Sequence, residues 1–142
     1  MEITAIPFNQ LLGIKRAERD PPHLLELDDC PSLTNHLGTV HAVAQLALAE
    51  ATSAEFLLRA FNGDRLDAVA VVRTVQAKFR KPLKGRAYSL ARVEAGEIEK
   101  LSEALDTKGR GIVHVKVDII NDHDVIAMSA EIGWFIQTTK QK

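Results

Sequence analysis

The chain lacks the features that would mark a secreted, membrane-spanning or nucleic-acid-binding protein. It has one cysteine, Cys30, in 142 residues, so no disulfide can form within it, and a reducing, cytoplasmic location is expected. Its 18 lysines and arginines against 19 aspartates and glutamates leave a net charge of −1, whereas a nucleic-acid partner requires a basic surface. The first residues show no basic region followed by an apolar run, so no signal peptide is predicted. Polar residues interrupt the most apolar window, 40–61, so no membrane span is expected.

What remains is an ordinary core-forming composition, 46% hydrophobic, which predicts one domain over residues 1–142. Hydrophobic spacing predicts two short strands, one long helix and then four strands in a meander, that is, an α+β antiparallel sheet covered on one side. The predicted helices are 7–12, about 40–61 and 97–106, and the predicted strands are 14–18, 23–27, 69–79, 87–95, 113–119 and 126–136. In the strand after the long helix, one face is expected to carry Val69, Val71, Val75, Ala77 and Phe79, interrupted only by Arg73.

The long helix carries a carboxylate, Glu50, in the middle of its apolar stripe. At about 100° per residue, the stripe within about 60° of Glu50 consists of Val43, Leu46, Ala47, Ala54, Leu57 and Phe61. The far side, which is expected to face solvent, consists of Gln45, Thr52, Glu55 and Arg59, the last two at the i,i+4 spacing of a solvated ion pair. A buried carboxylate is costly unless it is paired, hydrogen-bonded or put to use. The stripe therefore predicts a functional site at Glu50.

The segment that leads into this helix reads Asn-x-x-Gly-x-x-His, with an acidic residue further along. It resembles the Asn-x-x-Gly-x-x-His-Gly-Gly motif and helix acid of hotdog-fold acyl-CoA thioesterases of the phenylacetate-pathway type. The stretch 79–85 is similar to the aromatic-x-x-Pro-x-x-Gly turn of the same proteins. The resemblance implies a hotdog fold, in which a curved antiparallel sheet of about five to six strands wraps around one long central helix. The matching positions are Asn35, Gly38, His41, Ala42, Val43 and Glu50.

The resemblance also implies an activity: hydrolysis of an acyl-CoA thioester to a carboxylic acid and free CoA. Glu50 would be the general base or the nucleophile, and the backbone N–H of Ala42, at the helix N-terminus, would stabilise the oxyanion. Asn35 would orient the water or hold the carboxylate. In such proteins Asn35 and Ala42 would come from one subunit and Glu50 from its partner, in a homodimer or a dimer of dimers. No metal or redox cofactor is implied, and coenzyme A enters only as part of the substrate.

Further substrate contacts are expected from the motif, from one strand and from a basic segment. Five cations lie within residues 78–86, where they form either a landing patch for the CoA phosphates or a solvated strand end. Gly38 accommodates the backbone near the ligand, whereas His41 either contacts the ligand or packs as a structural histidine. The polar residue on the strand after the helix would help to position water. The candidate substrate-binding residues are Gly38, His41, Val43, Thr74, Arg80, Lys81 and Lys84.

Other interpretations of the same residues stay open at this stage. Glu50 can be a plain member of a buried polar network, and Asn35 can serve only the turn chemistry that asparagine favours. Ala42-Val43 stands where the family has Gly-Gly, and these larger side chains would narrow the thioester slot. A non-catalytic acyl- or CoA-binding module is therefore the alternative function. A hotdog dehydratase is disfavoured because its His-x-Phe-Pro-type loop is absent.

Overall fold

The computed structural model describes residues 1–19, 22–61 and 67–139. The helices are α1 (Pro7–Leu12), α2 (Ala42–Ala60) and α3 (Glu97–Lys108), with 3-10 turns at Ile3–Ala5 and Pro31–Leu33. The strands are β1 (Lys15–Arg16), β2 (Leu25–Leu27), β3 (Ala68–Phe79), β4 (Ala87–Arg92), β5 (Arg110–Ile120) and β6 (Ile126–Thr138). All the strands form one antiparallel sheet in the order β1-β2-β4-β5-β6-β3. The predicted α+β architecture, a curved antiparallel sheet with one long helix, is confirmed.

The predicted elements all exist, but the predicted meander is wrong. β3 pairs with β6 at the far edge of the sheet, and the chain then crosses back so that β4 pairs with β5 and β2. β1 and β2 are shorter than expected, while α3 runs on to Lys108 and ends at Gly109, whose φ is +70°. The sequence Asn-Gly-Asp at 62–64, which is expected to end the long helix, lies outside the described residues.

The core lies between α2 and the inner face of the sheet. Every second residue of β5 faces the helix, and the side chains of Val113, Val115, Val117 and Ile119 are completely buried. Small residues let α2 approach the strands closely, since Ala49 and Ala51 are buried against them. None of the described helices is long and apolar enough to cross a membrane.

The predicted orientation of α2 is wrong. The side that was expected to face solvent is buried: Gln45, Thr52 and Glu55 are at most 4% exposed, and Arg59 alone of that set is exposed. Most of their polar atoms have partners: Thr52 Oγ1 donates to Ser89 Oγ at 2.7 Å, and Gln45 Nε2 donates to the Val40 carbonyl at 3.2 Å. The apolar stripe is instead left partly open, since Leu57 is buried but Val43 is 59% exposed. The described chain therefore covers only part of the stripe.

The predicted pairing of Glu55 with Arg59 is confirmed, but the pair is not a solvated one. The Glu55 side chain is 5% exposed and also accepts a hydrogen bond from Arg16 of β1. A buried carboxylate needs hydrogen-bond partners from the protein, and two guanidinium groups supply them here, whereas an exposed carboxylate can be hydrated by water. Glu55 is therefore a structural contact between α2 and β1.

A β-bulge changes which side chains of β3 face the helix. The register shifts between Val72 and Thr74, and the guanidinium of Arg73 lies over the Phe135 ring, 4.2 Å from its centroid, on the outer face. Directly paired residues share a face, so Val72, opposite Trp134, and Val75, opposite Ile132, both face inward. The prediction of one shared face is wrong, because the extra residue reverses the alternation. Val69 and Val71 face outward, and Val75, Ala77 and Phe79 face inward.

Two further segments cover the inner side of the sheet beside α2. In α3, Leu101 and Leu105 are buried, and the helix approaches β5 so closely that a Cβ at Gly111 would lie 2.9 Å from Leu101 Cδ1. At the N-terminus, the buried Asn9 donates from Nδ2 to the Ile3 carbonyl at 3.0 Å, which ties the first 3-10 turn to α1. These segments form walls at one end of α2.

Candidate active site

The loop before α2 is organised by the Asn35 side chain. Its Oδ1 accepts hydrogen bonds from the backbone N–H groups of Leu37 (2.9 Å) and Thr39 (3.1 Å), and its Nδ2 lies 2.8 Å from Thr39 Oγ1. Gly38 closes the turn with φ +73°, a conformation that favours glycine. The turn chemistry expected of asparagine is thus present, while Nδ2 carries a second N–H that this loop does not use.

His41 caps the N-terminus of α2. Its Nδ1 accepts from the Val43 N–H at 3.0 Å, and its carbonyl accepts from the Gln45 N–H at 3.1 Å. The side chain is exposed rather than packed in the core. The Ala42 N–H makes no hydrogen bond within the described part of the chain. An unsatisfied donor at a helix N-terminus is suited to an anionic oxygen.

Ala42 and Asn35 line the same small cavity, of about 290 Å³. The segment that follows β3 forms its other side, with Phe79, Arg80 and Lys81. The predicted oxyanion donor and the predicted orienting amide are therefore brought together, with two of the predicted basic residues beside them.

Glu50 lies elsewhere, on the wall of a larger cavity of about 610 Å³ between α2 and β3. Its carboxylate makes no hydrogen bond or ion pair with any described residue, and burial raises its pKa above the usual glutamate value. Its backbone carbonyl accepts from Ser53 Oγ at 2.7 Å, and Ser53 Oγ in turn accepts from Trp134 Nε1 at 2.8 Å. The backbone at Glu50 is thus anchored, while its side chain has no partner among the described residues.

One copy of the chain does not bring Glu50 to the Ala42 N–H. The two residues are eight positions apart on α2, or about 12 Å at 1.5 Å per residue, and they line different cavities. A thioester carbonyl cannot touch both within one subunit. The separation agrees with the expectation that these groups come from different subunits.

The remaining predicted residues divide between the small cavity and the surface. Arg80 and Lys81 line the small cavity, and Arg80 Nε donates to Ser129 Oγ at 3.0 Å. Val43 and Lys84 are exposed and line neither cavity. Thr74 faces outward opposite Gly133, so the structure does not bring it to either cavity.

Several lining residues were not anticipated from the sequence. Gln45 lines the small cavity, although its place on the wheel predicted solvent exposure. The large cavity is closed by Ile3 and Ile6 at the N-terminus and by Leu105 of α3. The spacing of these apolar residues was the available signal in the sequence, but spacing alone does not show which cavity a side chain lines. Among the described residues, no group of three His, Cys, Asp or Glu side chains could hold a metal ion.

A family model described as a domain of unknown function, DUF4442, matches residues 17–136. The chain belongs to the DUF4442 family. No curated protein matches it.

Solved structures show that this DUF4442 chain has a hotdog fold. A Pseudomonas aeruginosa protein of unknown function, described as a probable thioesterase, superposes with a TM-score of 0.79 at 21% identity, over 96% of this chain and 91% of that one. A Haemophilus influenzae thioesterase gives 0.72 at 14% identity, over 98% and 88% of the two chains. A Bacillus halodurans protein solved with CoA gives 0.68 at 17% identity, over 93% and 76%.

Proposed function

We propose that this protein is an acyl-CoA thioesterase in which Glu50 is the general base or the nucleophile. The observation that carries the proposal is the Glu50 carboxylate, which is half-buried and unpaired among the described residues, at the wall of an apolar cavity. A carboxylate in that setting costs stability, and such groups concentrate at functional sites. The similar folds of a thioesterase and of a CoA-bound protein support the choice of a thioester substrate.

In the proposed reaction, Glu50 takes a proton from water as the water oxygen attacks the thioester carbonyl carbon. The alternative is direct attack by the carboxylate, followed by hydrolysis of the resulting anhydride. In either case negative charge develops on the carbonyl oxygen, and the Ala42 N–H donates to it. In the general-base route the carbon–sulfur bond then breaks and the proton held by Glu50 passes to the leaving thiolate, which releases the carboxylic acid and free CoA. In the nucleophilic route the same bond breaks as the anhydride forms, so CoA leaves first, and water then cleaves the anhydride to release the acid and restore Glu50. Asn35 orients the water or the carboxylate through its unused Nδ2 hydrogen.

The complete site is proposed to form between two copies of the chain. β3 is a 12-residue edge strand, and its inward-facing Val75 and Phe79 are 48% and 47% exposed. Long apolar edges invite pairing with another strand, and the partly open stripe of α2 around Val43 needs a cover as well. A two-fold dimer would bring Glu50 of one copy towards Ala42 of the other. Two such dimers would form the proposed tetramer.

The alternative of a non-catalytic acyl- or CoA-binding module rests on the larger side chains at Ala42 and Val43. The Val43 side chain lines neither cavity of the single chain, so it does not narrow the slot there. Ala42 keeps the backbone N–H that the first glycine of the motif would supply. The geometry therefore favours the enzyme over the binding module.

The test is acyl-CoA hydrolysis by a Glu50→Gln variant, which keeps the shape of the side chain and removes its charge. We expect turnover to fall by at least about 100-fold, as for loss of a general base. Glu99→Gln is the matched control, because Glu99 is exposed on α3 and lines neither cavity. Turnover by Glu50→Gln equal to that of Glu99→Gln would contradict the proposal.

A further inference from the structure

The large cavity follows α2 from Glu50 to the end of the helix. Lining residues of α2 and of its C-cap recur along the helix over three turns: Glu50, Ala51, Ala54, Leu57, Leu58 and the C-cap residue Phe61. Across from them lie the inward-facing residues at the start of β3, including Ala70. The cavity is therefore an elongated groove between one helix and one strand, with the carboxylate towards the helix N-terminus.

Few polar groups that the described residues place on the wall of this groove are free to bind a ligand. Apart from Glu50, the polar side chains among these described lining residues are those of Asn9 and Trp134. Asn9 Nδ2 donates to the Ile3 carbonyl, and Trp134 Nε1 donates to Ser53. A hydroxylated or charged acyl group would leave its own polar atoms without partners there, at a cost in affinity. The wall fits an unsubstituted hydrocarbon.

The size of the groove sets the length of that hydrocarbon. Glu50 and Phe61 are eleven residues apart, which corresponds to about 16 Å along the helix. An extended chain advances about 1.2 Å per bond, a third of the advance per residue of extended backbone, so about 12 to 14 carbons fit this length. The cavity volume of about 610 Å³ is also large enough for a chain of this length, since it corresponds to about 20 water molecules at about 30 Å³ each.

We infer that the acyl group lies in this groove, and that the substrate class is linear aliphatic acyl thioesters of about 12 to 14 carbons. The inference rests on the proposed thioesterase function for its reaction, but the hydrocarbon site stands on the shape and lining of the groove alone. Leu105 of α3 and Ile3 and Ile6 of the N-terminal segment join its wall, so the two segments outside the central helix and sheet help to determine chain length.

The test compares Ala70→Phe with Val69→Phe in hydrolysis of acetyl-, butanoyl-, octanoyl-, dodecanoyl-, tetradecanoyl-, octadecanoyl- and benzoyl-CoA. Ala70 lines the groove, whereas the neighbouring Val69 faces outward and lines neither cavity. For the unmodified protein, kcat/KM should rise about fourfold per added methylene up to dodecanoyl or tetradecanoyl. Ala70→Phe should shift the optimum to octanoyl or shorter, and Val69→Phe should leave it unchanged. Calorimetric binding of dodecanoate to the same three proteins accompanies the kinetics.

The two measurements separate failure of this inference from failure of the proposed function. Hydrolysis that favours acetyl-, butanoyl- or benzoyl-CoA and is unaffected by Ala70→Phe overturns the hydrocarbon site and leaves the thioesterase intact. Dodecanoate binding that is lost in Ala70→Phe, without hydrolysis of any thioester, supports the site and overturns the thioesterase. Absence of both hydrolysis and dodecanoate binding overturns both.

Discussion

Replacing Ala42 by proline would remove one backbone N–H with little other disturbance to the helix. Ala42 is the first residue of α2, a position that favours proline because its N–H has no partner within the helix. The preceding residue, His41, has φ −58° and ψ 138°, which is the extended conformation that a following proline requires. We therefore expect Ala42→Pro to fold with α2 intact, which far-ultraviolet circular dichroism would check.

The expected loss follows from the hydrogen bonds already made at this helix end. The Val43 N–H is held by His41 Nδ1 and the Gln45 N–H by the His41 carbonyl, so neither replaces the lost donor. Removal of one oxyanion donor costs about 2.7–4 kcal/mol in the transition state, or about 100- to 1,000-fold in kcat. Ala42→Ser is the matched control, since it keeps the N–H. The measurement is kcat for dodecanoyl-CoA, together with binding of free CoA to confirm that the cavity still accepts ligand.

Mixing Ala42→Pro with Glu50→Gln tests whether one site uses both subunits. After unfolding and refolding together, about half of the dimers would contain one chain of each kind. In such a dimer one site has an intact N–H and an intact carboxylate, so about a quarter of the unmodified activity should return. If Ala42→Pro were as active as Ala42→Ser, or if mixing restored nothing, the shared oxyanion site would be refuted.

Four further predictions concern the titration of Glu50 and the packing of the fold. Because burial raises the pKa of Glu50, kcat/KM should rise with pH through a midpoint above the ordinary glutamate value. The contribution of Glu50 to stability is fully present below its pKa in the unfolded chain and is lost as pH rises through its pKa in the folded protein. Glu50→Gln should therefore become more stable relative to the unmodified protein as pH rises. Urea unfolding measured across pH would contradict this if the difference in stability between the two proteins stayed constant. Ser89→Ala should lower the free energy of unfolding by about 1–3 kcal/mol, since it leaves the buried Thr52 hydroxyl without its partner; a loss below about 0.5 kcal/mol in urea unfolding would contradict this. Gly133→Ala should lower the melting temperature, because its new methyl group would overlap Thr74 Oγ1. An unchanged melting temperature would contradict this, since it would mean that β3 shifts without a cost in stability.

Local periodicity predicted most elements because their packing is decided within the chain. β5 and β6 alternate cleanly, since one face of each meets α2 and the other does not. The α3 helix was likewise predicted from the spacing of its apolar residues. The strand order was not, because adjacency in the sheet depends on tertiary contacts that a hydrophobic pattern does not encode.

The orientation of α2 was mistaken because the wheel assumes that the most apolar stripe meets the chain's own sheet. Thr52 and Glu55 are buried because they have specific partners, Ser89 in one case and Arg16 in the other. Glu50 is half-buried and unpaired among the described residues and lies beside a cavity, and its catalytic role stays a prediction. Its pairing with Ala42 across subunits stays a prediction, since it depends on a second copy of the chain.

The bulge at Arg73 decides which side chains of β3 reach the groove. Upstream of it, Ala70 and Val72 point at the helix, whereas downstream the opposite parity does. Arg73 is therefore the extra residue that lets both halves of the strand keep an inward face. Deleting Arg73 would leave Val72 inward, Thr74 outward and Val75 inward in strict alternation. A single-codon deletion would thus preserve the wall of the channel and remove the stacking of Arg73 on the Phe135 ring.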